Sequence, residues 1–300
     1  MSDPATEILF DALRKMESNG AHPQATITSL ARLQGTAALA PTTARPVSQR
    51  TEAPPSNAPA PRETSPAPRL DALFASALRA SGSAEIAAPT GSKAEKLAAL
   101  RGPVLACTKC PHLVKSRTQV VFGVGNPDAE LMFIGEAPGA DEDLVGEPFV
   151  GRAGQLLTKM IEAMNFKRSD VYIGNVLKCR PGTPAGEPGN RKPTRPEMDV
   201  CKPYLLQQIE IIQPKVLIAL GATAVEGLLN IDKAGITRMR GTWKEFHGIP
   251  MMPTFHPSFL LRPSNEQLSN KRLVWEDMLA VLERIGREIT PKQRGYFLTK

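Results

Sequence analysis

The sequence is short of aromatic residues, of long apolar runs and of cysteine. Phe, Trp and Tyr make up 5% of 300 residues against 41% hydrophobic residues in all, so a core built from this chain must be mostly aliphatic. No apolar run reaches the ~18–20 residues that a membrane-spanning helix requires. The opening MSDPATEILF has no basic segment followed by an apolar stretch, so no secretory signal is expected. Four cysteines are too few for a disulfide scaffold of this length. These absences predict a soluble cytoplasmic chain with no membrane partner, and the length allows one or two domains.

Charge and composition divide the chain. Residues 1–92 carry equal numbers of acidic and basic side chains, with no cysteine, tryptophan or tyrosine. All four cysteines and the whole net charge of +7 fall in residues 93–300. A basic excess favours polyanionic partners, nucleic acid first, although charge alone does not choose among them. Segment 41–68 is crowded with proline among Ala, Ser and Thr, and offers too little apolar surface to offset the entropy of ordering. Residues 1–92 are therefore expected to be a largely disordered tail and linker. Two short amphipathic patches, Thr6–Met16 and Leu70–Leu78, flank its proline-rich part, and either could dock on a partner.

From Ser92 the pattern alternates. Ser92–Leu100 reads as an entry helix. Apolar runs at Glu130–Gly135, Val171–Val176, Lys215–Gly221 and Met251–Phe255 read as strands. Amphipathic stretches at Gly154–Met164, Pro196–Ile212, Ala222–Leu229 and Glu266–Ile289 read as helices. Continuous apolar strands separated by helices indicate a parallel sheet covered on both faces. Ligands of such sheets sit at the carboxyl ends of strands.

After the first run comes GEAPGADED and then GEPFVGRAG. Its glycines let backbone amides approach a ligand closely, but the pattern fits neither the dinucleotide nor the phosphate-loop fingerprint. Asp141, Glu142 and Asp143 oppose phosphate binding there and could instead activate water or hold a metal. At the end of the second run stands Asn175, whose amide offers an acceptor beside a donor, the pattern of a nucleobase edge. After the fourth comes FHPSFLLRP, a histidine followed by apolar residues and Arg262, a wedge suited to a base stack. Cysteines at 107, 110, 179 and 201 include one Cys-x2-Cys. The spacing leaves an iron–sulfur cluster, a zinc ion and four unligated core thiols all open.

Taken together, GEAPGADED, GEPFVGRAG, NVLKCRP with a later NR, the cysteine pattern and FHPS resemble the family 4, iron–sulfur type of uracil-DNA glycosylase, over about 200 residues from near Lys93 to Ile289. The resemblance implies a three-layer α/β/α sandwich on a four-stranded parallel sheet, with residues 93–300 as the glycosylase domain. It implies a [4Fe–4S] cluster on Cys107, Cys110, Cys179 and Cys201, and hydrolysis of the N-glycosidic bond of uracil in single- or double-stranded DNA. Asn175 would read N3–H and O4 of a flipped-out uracil stacked on Phe149. His256 would stabilise the charge developing on O2, and the backbone around Glu136, Ala137, Pro138 and Gly139 would line the pocket. Ala137 stands where other uracil glycosylases carry an aspartate. The water is therefore assigned first to Glu142, then to Glu136, then to Asp143.

Leu260, Leu261 and Arg262 would fill the gap left by the base. Asn190, Arg191 and Ser258 would hold phosphates, with Lys109, Lys115, Arg117 and Lys178 facing the DNA. The turn between Cys179 and Asn190 is longer than the family's usual one, and Gly139 replaces the tyrosine that excludes thymine elsewhere. The expected protein is a monofunctional repair enzyme of bacterial type, monomeric and held at the nucleoid through DNA, its tail free to bind a repair or replication protein. The alternatives are a non-catalytic nucleic-acid-binding iron–sulfur module tied to a polymerase or repair complex, and a zinc-dependent hydrolase using the acidic loop.

Overall fold

The computed structural model describes residues 91–183 and 189–298. The expected tail, with its patches at Thr6–Met16 and Leu70–Leu78, lies outside them except for Gly91 and Ser92. Helix α1 (Lys93–Leu105) starts on a capping box: Ser92 N–H donates to Glu95 Oε2 at 2.7 Å, and Glu95 N–H donates to Ser92 Oγ at 3.3 Å. There follow α2 (Pro111–Ser116), β1 (Val124–Gly125), β2 (Leu131–Gly135), α3 (Ala140–Val145), α4 (Arg152–Ala163) and β3 (Tyr172–Asn175). Then come α5 (Arg195–Ile212), β4 (Val216–Leu220), α6 (Ala222–Leu229), α7 (Ile236–Met239), β5 (Lys244–Phe246) and β6 (Ile249–Thr254). The chain closes with α8 (Pro257–Leu260), α9 (Gln267–Arg284) and α10 (Pro291–Arg294).

The strands form one sheet in the order β1-β3-β2-β4-β6-β5. Its inner four, β3, β2, β4 and β6, run parallel, and they are the four runs expected from sequence. The sheet nevertheless has six strands rather than four. β1 pairs antiparallel with β3, and β5 pairs antiparallel with β6. At two and three residues these edges are too short to carry a hydrophobic period, and short edges are one way a sheet avoids pairing with another chain.

Alternation along the strands divides the core. Met132, Ile134, Leu217 and Ala219 face α1, α5 and α6 through Leu97, Leu205, Ile209 and Val225. Leu131, Phe133, Ile218 and Leu220 face α4 and α9 through Leu157, Ile161, Val274 and Met278. All of these side chains are buried, so the architecture is a three-layer α/β/α sandwich. α9 stops at Arg284 instead of continuing to Ile289, because Gly286 adopts a left-handed φ of 72° just beyond it. Among the described residues no helix is long and apolar enough to cross a membrane.

Candidate active site at the carboxyl ends of the strands

A cavity of about 630 Å³ opens at the carboxyl edge of the parallel strands. The carboxyl ends of β2, β3, β4 and β6 all reach it, through Glu136, Ala137 and Gly139, Asn175, Gly221 with Ala222, and His256 with Ser258, whereas Pro138, also expected there, is not among the lining residues. Phe149, Glu142, Asn190 and Arg262 complete the parts expected from sequence.

Asn175 ends β3 and is 2% exposed. Its Oδ1 is buried and has no donor among the described residues. An unmet buried acceptor costs about 1–3 kcal/mol, so this atom is poised for a ligand N–H. Two glycines make the arrangement possible. A Cβ on Gly135 would lie 2.5 Å from Asn175 Oδ1 and 2.6 Å from Phe149 Cζ. A Cβ on Gly154 would lie 1.8 Å from the Phe149 carbonyl oxygen. Phe149 itself holds a φ of 56°, unusual for a bulky residue. Arg168 secures the preceding residue, its Nη2 donating to the Pro148 carbonyl at 2.6 Å.

Glu142 closes the same loop from inside. Its Oε2 accepts Gly139 N–H at 2.9 Å, and its Oε1 accepts the N–H groups of Val150 and Gly151 at 3.0 and 3.1 Å. Two ionised carboxylate oxygens offer about four acceptor positions, so roughly one is left for a ligand or water. Glu136 sits at the cavity but bonds the Thr223 side chain, and burial raises its carboxyl above the usual range. Asp143, the third choice for water, is 2% exposed and accepts Thr118 N–H at 2.8 Å and Gln119 N–H at 3.3 Å. It ties the loop to the segment before β1 and does not line the cavity.

His256 caps α8. Its Nδ1 accepts Ser258 N–H at 3.1 Å and lies 2.8 Å from Ser258 Oγ. With Nδ1 accepting, the neutral ring carries its proton on Nε2. Burial, and then the nearby Arg262 cation, lower its pKa to about 4, so the ring is neutral at pH 7. The Phe149 and His256 ring centroids are 5.6 Å apart.

Several expected roles change. Leu260 is 2% exposed and packs in the core with residues of the sheet and α9, whereas Phe259 is 37% exposed and lines the cavity with Arg262. The cause is the turn of α8, which turns Leu260 inward. Arg191 is not free for phosphate: its guanidinium forks onto the Glu197 carboxylate, one bond being Nη1 to Oε2 at 2.8 Å. Asn190 braces the pocket instead, donating to the Pro138 carbonyl at 3.2 Å and accepting from Arg180 Nε at 2.7 Å. Lys178, expected to face DNA, is 1% exposed and donates to Gln208 Oε1 at 2.6 Å; burial lowers its pKa to about 8.

Sequence reasoning missed Gly221 and Ala222, although the strand-end rule applied to β4 would have found them. It also missed Ile236 and Thr237 of α7, for which no such rule exists because that helix does not follow a strand of the sheet.

The four thiols come from three segments: Cys107 and Cys110 around the start of α2, Cys179 four residues beyond Asn175, and Cys201 within α5. All four are free. Burial raises Cys201 to about 12, and the thiols of Cys179 and Cys107 add to the shift. Burial likewise raises Cys110 and Cys179, again reinforced by neighbouring thiols. Donors already face the sulfurs: Arg117 Nη1 lies 2.9 Å from Cys179 Sγ, and Lys178 N–H points to Cys201 Sγ at 3.2 Å. Among the described residues no three His, Cys, Asp or Glu side chains gather tightly enough for a single metal ion.

Comparison with known proteins gives the same direction. Residues 122–279 match the model of the uracil DNA glycosylase superfamily. The chain is 47% identical over 184 residues to the type-4 uracil-DNA glycosylase of Thermotoga maritima, covering 61% of this chain and 91% of that protein. It is 44% identical over 165 residues to the type-4 enzyme of Archaeoglobus fulgidus, covering 53% of this chain and 79% of the relative. For the type-4 enzyme of Sulfurisphaera tokodaii the identity is 40% over 214 residues, 68% and 91% of the two chains. The chain belongs to the uracil-DNA glycosylase superfamily and, within it, to the type-4 uracil-DNA glycosylases, DNA-repair hydrolases acting on N-glycosyl bonds.

Proposed function

We propose that this chain is a monofunctional, monomeric glycosylase that flips uracil out of DNA and hydrolyses its N-glycosidic bond, with Asn175, Phe149, His256 and Glu142 as the working residues. The observation that carries the residue assignment is the orphaned Oδ1 of Asn175. Uracil N3–H is the donor it lacks, and the amide Nδ2 then faces O4. Cytosine presents a bare N3 and an amino group, so both contacts would be mismatched and its binding disfavoured. Phe149 offers the stacking face, worth about 1–3 kcal/mol per base.

As the glycosidic bond breaks, electrons pass to the uracil ring and the sugar becomes oxocarbenium-like. The Nε2–H of His256 donates to O2 and stabilises the uracil anion, and a neutral ring already aimed needs no reorganisation. The remaining acceptor position of Glu142 orients water toward the anomeric carbon, and its charge opposes the cationic sugar. Glu136 is the weaker candidate, since burial favours its neutral form. No lysine lines the cavity among the described residues, which supports hydrolysis without a Schiff-base step.

Cys107, Cys110, Cys179 and Cys201 would hold a [4Fe–4S] cluster. Four free thiols brought from three segments into one electrostatic neighbourhood support this reading. When bound, the cluster would supply iron–sulfur bonds joining three segments of the chain. Residues 1–92 would act as a tether to another repair or replication protein. The enzyme would work in the cytoplasm, on the nucleoid through DNA, with Asn190, Ser258, Leu261 and Arg262 along the DNA-facing rim.

The test is uracil release by cluster-loaded protein from single- and double-stranded oligonucleotides, with Asn175→Ala, His256→Ala and Glu142→Gln beside the unaltered chain. Expected are activity in the parent and a loss of at least tenfold in each variant. Full activity in all three would refute the residue assignment, and an inactive parent would refute the function.

A further inference from the structure

Asp277 lies outside the cavity, is 1% exposed, and takes no part in the chemistry above. A carboxylate buried to that degree needs partners. Its Oδ2 accepts Thr254 Oγ–H at 2.6 Å and Arg240 Nε–H at 3.0 Å, and its Oδ1 accepts Arg240 Nη2–H. Arg240 also donates to the Leu273 carbonyl at 2.5 Å and lies over the Phe255 ring, 5.8 Å from its centroid.

These partners lead to two walls of the cavity. Thr254 is the last residue of β6, two before His256, and its carbonyl accepts Gly221 N–H at 2.8 Å. Arg240 caps α7, its N–H donating to Ile236 O at 2.8 Å, and Ile236 lines the cavity. Gly241 N–H, next in sequence, reaches Pro253 O at 3.4 Å. One carboxylate on α9 thus fastens the strand that aims the imidazole and the helix that faces it.

We propose that Asp277 is a positioning residue for uracil excision: through Thr254 and Arg240 it fixes the aim of the His256 imidazole and the placing of the α7 wall. The inference rests on the reading of His256 given above. A buried network of this kind acts as a unit, because each bond holds its neighbours in register. A shift of about 1 Å at a group donating to a developing anion is enough to cost a large factor in rate.

The experiment compares single-turnover uracil excision with equilibrium binding of uracil-containing DNA for Asp277→Asn, Thr254→Val, and the double variant Asp277→Asn/Arg240→Met, all in the cluster-loaded full chain. Asp277→Asn keeps size and shape and removes the charge. It is expected to slow excision by ~10–100-fold while DNA affinity stays within about twofold. Thr254→Val cuts one bond and leaves the ion pair, and a three- to tenfold loss of rate is expected. The double variant should lose no more than about threefold beyond Asp277→Asn, since both changes break one unit. Parent-like excision by Asp277→Asn overturns the proposal, as does a loss of DNA binding equal to the loss of rate, which marks a merely structural role. If Asp277→Asn does not fold, Thr254→Val decides by the same two measurements. His256→Ala runs alongside: normal excision there refutes the site itself, whereas a slow His256→Ala beside a normal Asp277→Asn refutes only the positioning role.

Discussion

The cavity at the strand ends and the corner holding the four thiols satisfy their polar groups in opposite ways. At the cavity the protein places Asn175 Oδ1 out of reach of water and gives it no partner. At the corner, donors already face sulfur: Arg117 bonds Cys179, and the Lys178 amide bonds Cys201. An unmet acceptor stores a cost that a transient ligand removes, so affinity and selectivity reside there. A region whose donors surround its own atoms acts as a joint. Substitutions in the cavity should therefore change rate with little change in stability, and substitutions at the corner should do the reverse.

The largest effects test the first half of that contrast. On the proposed reading, Asn175→Ala removes two contacts to the base and should slow uracil excision by ~10³-fold, with melting temperature unchanged or raised, because the orphaned atom goes with it. His256→Ala removes the donor proposed for O2 and should cost ~10²–10³-fold in the single-turnover rate. Gly135→Ala places a methyl 2.5 Å from Asn175 Oδ1 and 2.6 Å from Phe149 Cζ. It should weaken binding of free uracil, measured by calorimetry, by about tenfold or more, since neither neighbour can retreat into a packed core. A stability loss larger than the loss of uracil affinity in Gly135→Ala would break the comparison.

The corner supplies the converse. Cys201→Ser should lower the urea midpoint of the cluster-loaded protein, together with its iron and sulfide content and its absorbance near 400 nm. It should leave the single-turnover rate of the folded fraction within about threefold of the parent, because no thiol lines the cavity. A rate loss exceeding the loss of folded protein would give the cluster a part in the chemistry.

Much of this was legible in the residues. The inner strands are unbroken apolar runs, and an unbroken run has only one use in a sheet covered on both faces, so the four strands and the loops after them could be placed, though not their order in the sheet. Asn175 and His256 were found because each stands at the carboxyl end of such a run. What a run cannot show is where a neighbouring side chain spends its hydrogen bonds. Asp143 and Glu142 stand side by side in sequence, yet one ties down the segment at Thr118 and the other gathers three amides around the cavity. Arg191 reads as a phosphate ligand until Glu197, one turn into α5, claims it. Leu260 and Phe259 exchange roles because a one-turn helix decides which of them faces the core. β1 and β5 are two and three residues long, below any period.

The smallest expected effect separates two buried titratable groups by sign. His256 titrates near 4 in the folded chain against an ordinary value of 6.5. Between those values the unfolded chain binds a proton that the folded one refuses, so this group makes stability fall as pH falls from 6.5 toward 4. Asp277 is pushed up to about 6 from 3.8, chiefly by burial. Between 3.8 and 6 the folded chain binds the extra proton, so this group makes stability rise as pH falls through the same range. The two slopes oppose one another across pH 4–6 and partly cancel in the parent. His256→Gln should then gain stability on acidification relative to the parent, and Asp277→Asn should lose it, both read as urea midpoints between pH 4.5 and 7. Parallel curves for all three proteins would show that neither ring nor carboxylate is shifted as the buried surroundings require. The neutral imidazole would then have to be tested directly, by whether excision falls away below pH 6.5 or holds toward pH 4.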